Sequence, residues 1–354
     1  MNTKRVYRLP FYLLIIALFL SSCRMGNRGN GGPENPPPAE TQPTVAAPSS
    51  TVGGDAAFSF QTGRNDKTIN IDGDQREFIV YVPSGYNPNT PTPLLFMFHG
   101  SNQSGNIMFE NTDWVNKAEK ETIIVIFPTG WEYPLVSEPG LHEKWDSENL
   151  EKEIVPGTEI KDDVKFTRTL LDLAKSNFNI DNKRIFASGF SNGGGFVLTR
   201  LITEMHDDFT AFAVSGTGLF GSGEGNGTIL QEGFIPVNTS LYAIIGTQDE
   251  KVSLGTGRER PFPIQPDDIF NDPVFHQMMV NTTALLGLSM DYSVETDSPS
   301  TIFTFRNSTS GAKNEFIFRM VKGLFHEYPA GDNNAPGVNA SDLFWDFFLS
   351  HVEQ

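Results

Sequence analysis

The sequence predicts an α/β fold, with a mostly parallel central sheet flanked by helices on both faces. Two observations carry that expectation. Residues 94–98, 123–127 and 241–245 are short, wholly apolar runs, which suit strands buried on both sides, as in parallel sheets. Between such runs lie longer segments with apolar residues at helical spacing, as in 162–177, and alternation of the two types reads as repeated βα units. Hydrophobic residues make up 38% of the chain and charged residues 19%, so a core of that size can be filled.

The elements follow in order. Residues 68–71 and 76–82 flank Asp72-Gly73, a hairpin signal. The strand at 94–98 ends at His99-Gly100, and 107–120 has helical spacing. A second buried strand, 123–127, stops at Pro128, and 130–160 reads as a long loop holding Trp131, His142 and Trp145. A helix is expected over 162–177, where Asp162 and Asp163 read as caps. A strand at 184–188, a helix at 192–205, and strands at 209–214 and 241–245 come next, the last ending at Gly246-Thr247-Gln248-Asp249. A helix is expected at 274–286 and strands at 300–306 and 315–321, the second leading to Gly323-Leu324-Phe325-His326; a helix over 342–352 closes the chain.

The first residues read as an address. Lys4, Arg5 and Arg8 precede an apolar run of ten at 11–20, followed by Ser21, Ser22 and Cys23. This is a basic, then apolar, then small-residue leader, too short for the roughly 20 residues that span a bilayer. Leu20-Ser21-Ser22-Cys23 resembles the bacterial lipobox, in which the Cys is lipidated. The expected organisation is a lipoprotein signal peptide over 1–22, a lipidated Cys23 with a Gly-, Pro- and Asn-rich tether over 23–57, and the folded α/β domain over 58–354. The expected partners are a membrane, through the lipid, and a substrate. With a net charge of -17, nucleic-acid backbones are excluded as a partner class. Cys23 is the only cysteine, which excludes internal disulfides and Cys-based zinc clusters.

Chemistry is expected beyond the carboxyl ends of the parallel strands. Gly189-Phe190-Ser191-Asn192-Gly193 is a G-x-S-x-G run between a strand and a helix, the pattern of a nucleophile elbow. A serine hydroxyl is a weak nucleophile and needs a base, which in turn needs an orienting acid. Of the later histidines, His276 falls in a helix and His351 near the end, whereas His326 sits in a loop after a strand and is the expected base. Asp249, after a buried strand, is the expected acid, with Glu250 as its rival. The backbone N–H groups of Asn192 and Ser101 are the expected oxyanion donors. His99 reads as a structural residue beneath the site. Trp145 has two readings, as part of an acyl or aromatic pocket or as a core anchor.

These pieces, with Tyr81 to Tyr86, Pro93 to Ser101, Ile126-Phe127-Pro128 and Asp162-Asp163-Val164, resemble the poly(3-hydroxybutyrate) depolymerase and feruloyl esterase-like family of α/β-hydrolases. The resemblance spans about residues 70–330. It implies an α/β-hydrolase fold and a serine esterase with Ser191 as nucleophile, Asp249 as acid and His326 as base, needing no metal or organic cofactor. It also implies substrates among hydroxyalkanoate oligomers, feruloyl or acetyl esters and other small esters. A serine peptidase, and a non-catalytic surface lipoprotein binding a glycan or polymer in a hydrolase-like cleft, are the alternatives. The stretch 251–273 departs from the short aromatic loop expected after the acid.

Overall fold

A computed structural model describes residues 58–148, 150–220 and 235–352. The expected leader, Cys23 and the tether up to residue 57 lie outside the described residues. Strands β1 (Gly63–Ile71) and β2 (Asp74–Val82) form the hairpin. Asp72 and Gly73 both take positive φ, 54° and 97°, as a two-residue turn matching strand twist requires. Strands β3 (Thr92–Phe98) and β4 (Ile124–Pro128) follow, then a separate small hairpin of β5 (Trp131–Pro134) and β6 (Leu141–Lys144). Strands β7 (Ile180–Phe190), β8 (Ala211–Ser215), β9 (Ser240–Gly246), β10 (Tyr292–Asp297), β11 (Ser300–Phe305) and β12 (Phe316–Val321) complete the set among the described residues.

The main sheet runs β1-β2-β4-β3-β7-β8-β9-β12-β11-β10. Its centre, from β4 to β12, is parallel throughout, and antiparallel pairs flank it at both edges. Side chains alternate across the sheet. Leu95 and Met97 of β3 pack with Trp114, Phe344 and Phe348 of the helices Trp114–Glu121 and Ala340–Ser350. Phe98 points the other way, its ring 5.3 Å from that of Phe196 in the helix Ser191–Phe196. Helices therefore cover both faces.

Three expectations are corrected. The helix over 107–120 is two helices, Gly105–Asn111 and Trp114–Glu121. Thr112 between them is extended, and both its N–H and its hydroxyl donate to Met108 O, so the side chain competes with a continuing helix. The loop over 130–160 contains the β5–β6 hairpin and the short helix Leu150–Glu153, held by a small core of Tyr133, Leu150 and Ile154. Strand β10 has no counterpart in the sequence reading; it is a polar edge strand, half-buried to exposed, which protects a sheet edge but erases the apolar pattern.

Asp162 caps the helix Asp163–Asn177 by accepting from Lys165 N–H. Asp163 does something else. Its carboxylate is fully buried and pairs at 2.6 Å with Arg76 of β2, itself 2% exposed, while its second oxygen accepts the Asp146 N–H at 2.7 Å. Burial pushes the Asp163 carboxyl up to about 6, against the pull of Arg76. Removing one partner of such a pair strands a buried charge. Arg76→Met is expected to cost about 3–5 kcal/mol in chemical denaturation, and adding Asp163→Leu to recover most of it. A single variant with the wild-type midpoint would show that the pair contributes nothing.

Candidate active site

Four loops at the carboxyl ends of parallel strands converge: 99–104 after β3, the turn at Ser191 after β7, 247–249 after β9 and 322–328 after β12. At the elbow the positive φ belongs to Ser191 itself, at 50°, a conformation that costs an L-residue about 1–2 kcal/mol. The flanking glycines serve close approach. A Cβ on Gly189 would lie 2.5 Å from Gly193 O, and one on Gly193 would lie 2.3 Å from His99 O. Past the elbow the expected helix is interrupted by a π turn, Val197–Leu201, before Ile202–Glu204.

The structure brings Ser191, His326 and Asp249 into one hydrogen-bonded chain. Asp249 is 1% exposed. Its Oδ1 accepts the N–H groups of Lys251 and Val252 at 3.1 and 2.9 Å, capping the helix Glu250–Thr256. The same carboxylate lies 2.9 and 3.0 Å from His326 Nδ1. His326 Nε2 lies 2.8 Å from Ser191 Oγ. With Nδ1–H donating to the carboxylate, Nε2 keeps its lone pair for the serine proton. Glu250, the rival acid, accepts the backbone N–H of His326 instead, so it holds the loop and not the ring. His276 and His351 lie elsewhere, beside Phe270 O and Glu315.

A cavity of about 300 Å³ opens over Ser191 and His326, and Ser101 and Asn192 both line it. Of the two readings of Trp145, the pocket wall is corrected and the core anchor stands. Trp145 is fully buried, its Nε1–H donates to His99 O at 3.0 Å, and its ring stacks on Phe196 and meets Phe98 edge-on. It anchors the loop after β6, whose next residues, Ser147 and Glu148, do reach the cavity. Gly216 to Phe220 after β8 and the helix after Asp249 line it too, with Lys144, Glu153 and, past the elbow, Gly195, Leu198 and Thr199. Gly216-Thr217-Gly218 follows a parallel strand as the other four loops do, and that placement was the available signal. The Asn192 side chain carried none. Its Oδ1 accepts Trp145 N–H at 2.8 Å and its Nδ2 donates to Ser147 Oγ at 2.9 Å, tying the cavity wall to the elbow. Among the described residues no group of three or more His, Cys, Asp or Glu side chains is placed to hold a metal ion.

Residues 70–225 match the family model of a putative esterase family. Over 161 residues, 44% of this chain, the sequence is 34% identical to a bifunctional acetylxylan esterase/xylanase of Neocallimastix patriciarum. Over 219 residues, 61% of this chain, it is 28% identical to feruloyl esterase D of Neurospora crassa. The matches span 21% and 66% of those two relatives. An acetyl xylan esterase from Aspergillus awamori superposes with a TM-score of 0.50 at 14% identity, over 80% of this chain and 99% of that one, which establishes the shared α/β-hydrolase fold. The chain has an α/β-hydrolase fold and, over part of its length, is similar in sequence to acetylxylan and feruloyl esterases.

The elbow geometry has a stability consequence. Ser191→Ala keeps a Cβ at positive φ, whereas Ser191→Gly removes it. The glycine variant is expected to be the more stable of the two by about 1 kcal/mol in denaturant unfolding. Equal midpoints would show that the turn is not strained.

Proposed function

We propose that this α/β-hydrolase is a serine carboxylic-ester hydrolase working through an acyl-enzyme on Ser191. The observation that carries the reading is the unbroken chain from Ser191 Oγ through His326 to Asp249, at 2.8 and 2.9 Å. Ser191 Oγ attacks the ester carbonyl carbon while His326 Nε2 takes its proton. The N–H groups of Ser101 and Asn192 receive the developing oxyanion, and Asp249 steadies the imidazolium. His326 then returns the proton to the departing alkoxide and the alcohol leaves. Water attacks the acyl-enzyme with His326 again as base, which releases the acid and restores Ser191. Nucleophile, base and acid are all side chains.

The names of the relatives support feruloyl or acetyl esters as substrates. Short hydroxyalkanoate oligomers are the other class that the sequence resemblance implies. A cavity of about 300 Å³ lies at the small end of ligand sites and suits a compact acyl group. We also read the protein as exported and membrane-anchored through a lipid on Cys23, on the strength of Leu20-Ser21-Ser22-Cys23 behind a basic, apolar leader. Metabolic labelling with a fatty acid in a bacterial host should then mark the protein and spare Cys23→Ala; an equally labelled variant would overturn the anchor.

A fluorophosphonate probe is expected to label the folded protein on Ser191. Ser191→Ala should lower kcat/KM toward p-nitrophenyl acetate by at least about 10⁴-fold. A folded protein that is neither labelled nor active on acetyl, feruloyl or 3-hydroxybutyrate esters would overturn the reading.

A further inference from the structure

We infer that His99 is a positioning residue: its Nδ1–H holds the Gly100 carbonyl and thereby aims the Ser101 N–H at the reacting carbonyl oxygen. The inference rests on the serine-hydrolase reading above and adds a residue to it. Gly100 C=O and Ser101 N–H belong to one trans peptide, so they point in opposite directions and turn together. Fixing the oxygen fixes the N–H.

The hydrogen bonds leave one tautomer. His99 is fully buried. Its Nε2 lies 2.8 Å from the Gly130 N–H, which can only donate, so Nε2 is an acceptor. The ring proton is therefore on Nδ1, 2.7 Å from Gly100 O. Burial pushes the imidazole down to about 4, so the ring stays neutral and Nε2 keeps its lone pair at neutral pH. The rest of the turn is pinned as well. His99 O accepts Trp145 Nε1–H at 3.0 Å, and Gly100 N–H donates to Gln103 Oε1 at 3.0 Å. Among the described residues nothing accepts the Ser101 N–H, and Ser101 lines the cavity shared by Ser191 and His326. The turn also lies against the nucleophile: a Cβ on Gly100 would sit 3.2 Å from Ser191 Cβ. Of the two polar groups of this peptide, the carbonyl is thus held by His99 while the N–H, on a cavity-lining residue, is left without a protein acceptor among the described residues.

Two substitutions separate the roles of the ring. In His99→Asn, Nδ2 takes the place of Nδ1 as donor to Gly100 O and the acceptor for Gly130 is lost. In His99→Gln, Oε1 reaches Gly130 N–H and no donor is left beside Gly100 O. With p-nitrophenyl acetate and the full chain, H99Q is expected to lose about ten- to a hundredfold in kcat, with KM within about threefold of wild type. H99N should stay within about fivefold of wild-type kcat. H99Q with wild-type kcat, or two folded variants that lose kcat equally, overturns the role of His99 while leaving the serine-hydrolase reading intact. A wild-type protein inert toward every ester overturns that reading and this inference with it. Should either variant fail to fold, imidazole ¹⁵N NMR of the wild-type protein decides. A proton on Nδ1 of His99 supports the inference, and a proton on Nε2 overturns it.

Discussion

The site depends on a contact with no room for a side chain. At Gly193 the first turn of the nucleophile helix presses on the end of β3, where a Cβ would lie 2.3 Å from His99 O and 2.6 Å from Phe98 O. The helix start and the 99–101 turn are consequently neighbours through their backbones. Gly189 makes the same demand one step earlier, against Gly193 itself. Ser191, caught between them, takes left-handed backbone angles, and its hydroxyl leaves the sheet toward His326. Backbone strain of this kind persists only where the surroundings over-determine it. Here they do so with parallel strands fully buried on both sides.

Much of this was legible in the sequence because its causes are local. The Asp72-Gly73 turn, the buried strands and the glycine spacing around Ser191 each leave a pattern within a few residues. His326 and Asp249 were found by their placement after strands, which is a property of the fold class. What was not legible has a common origin in tertiary context. Strand β10 is held by its pairing with β11 and not by an apolar period. Trp145 reads equally as wall or anchor until Phe98, His99 and Phe196 close around it. Asp163 looks like its neighbour Asp162 until Arg76 arrives from a strand 87 residues earlier in the chain.

The loop after β6 shows how distant residues bear on the cavity. Trp145 is held through both its ring and its N–H, Asp146 N–H bonds Asp163, and the Asp146 carboxylate pairs with Arg200 on the helix that follows the elbow. The Ser147 hydroxyl takes Asn192 Nδ2. Three consecutive residues are thus fixed to four separate elements, and the next reaches into the cavity. The Arg76–Asp163 pair, well inside the fold, is in this way a second-hand support for the wall beside Ser191. Such stacked constraints keep a polar cavity in one shape without disulfides.

The position of β12 carries a consequence for how the molecule matures. His326 follows this strand, which inserts between β9 and β11 and joins Ser191 to a base 135 residues later in the chain. Contacts of such long sequence separation form late, because their loop-closure entropy is repaid only after most of the sheet exists. The elbow and its glycines can be in place while the imidazole is still absent. On the serine-hydrolase reading, competence is accordingly a property of the finished sheet: a chain still emerging carries a poised serine with nothing to activate it.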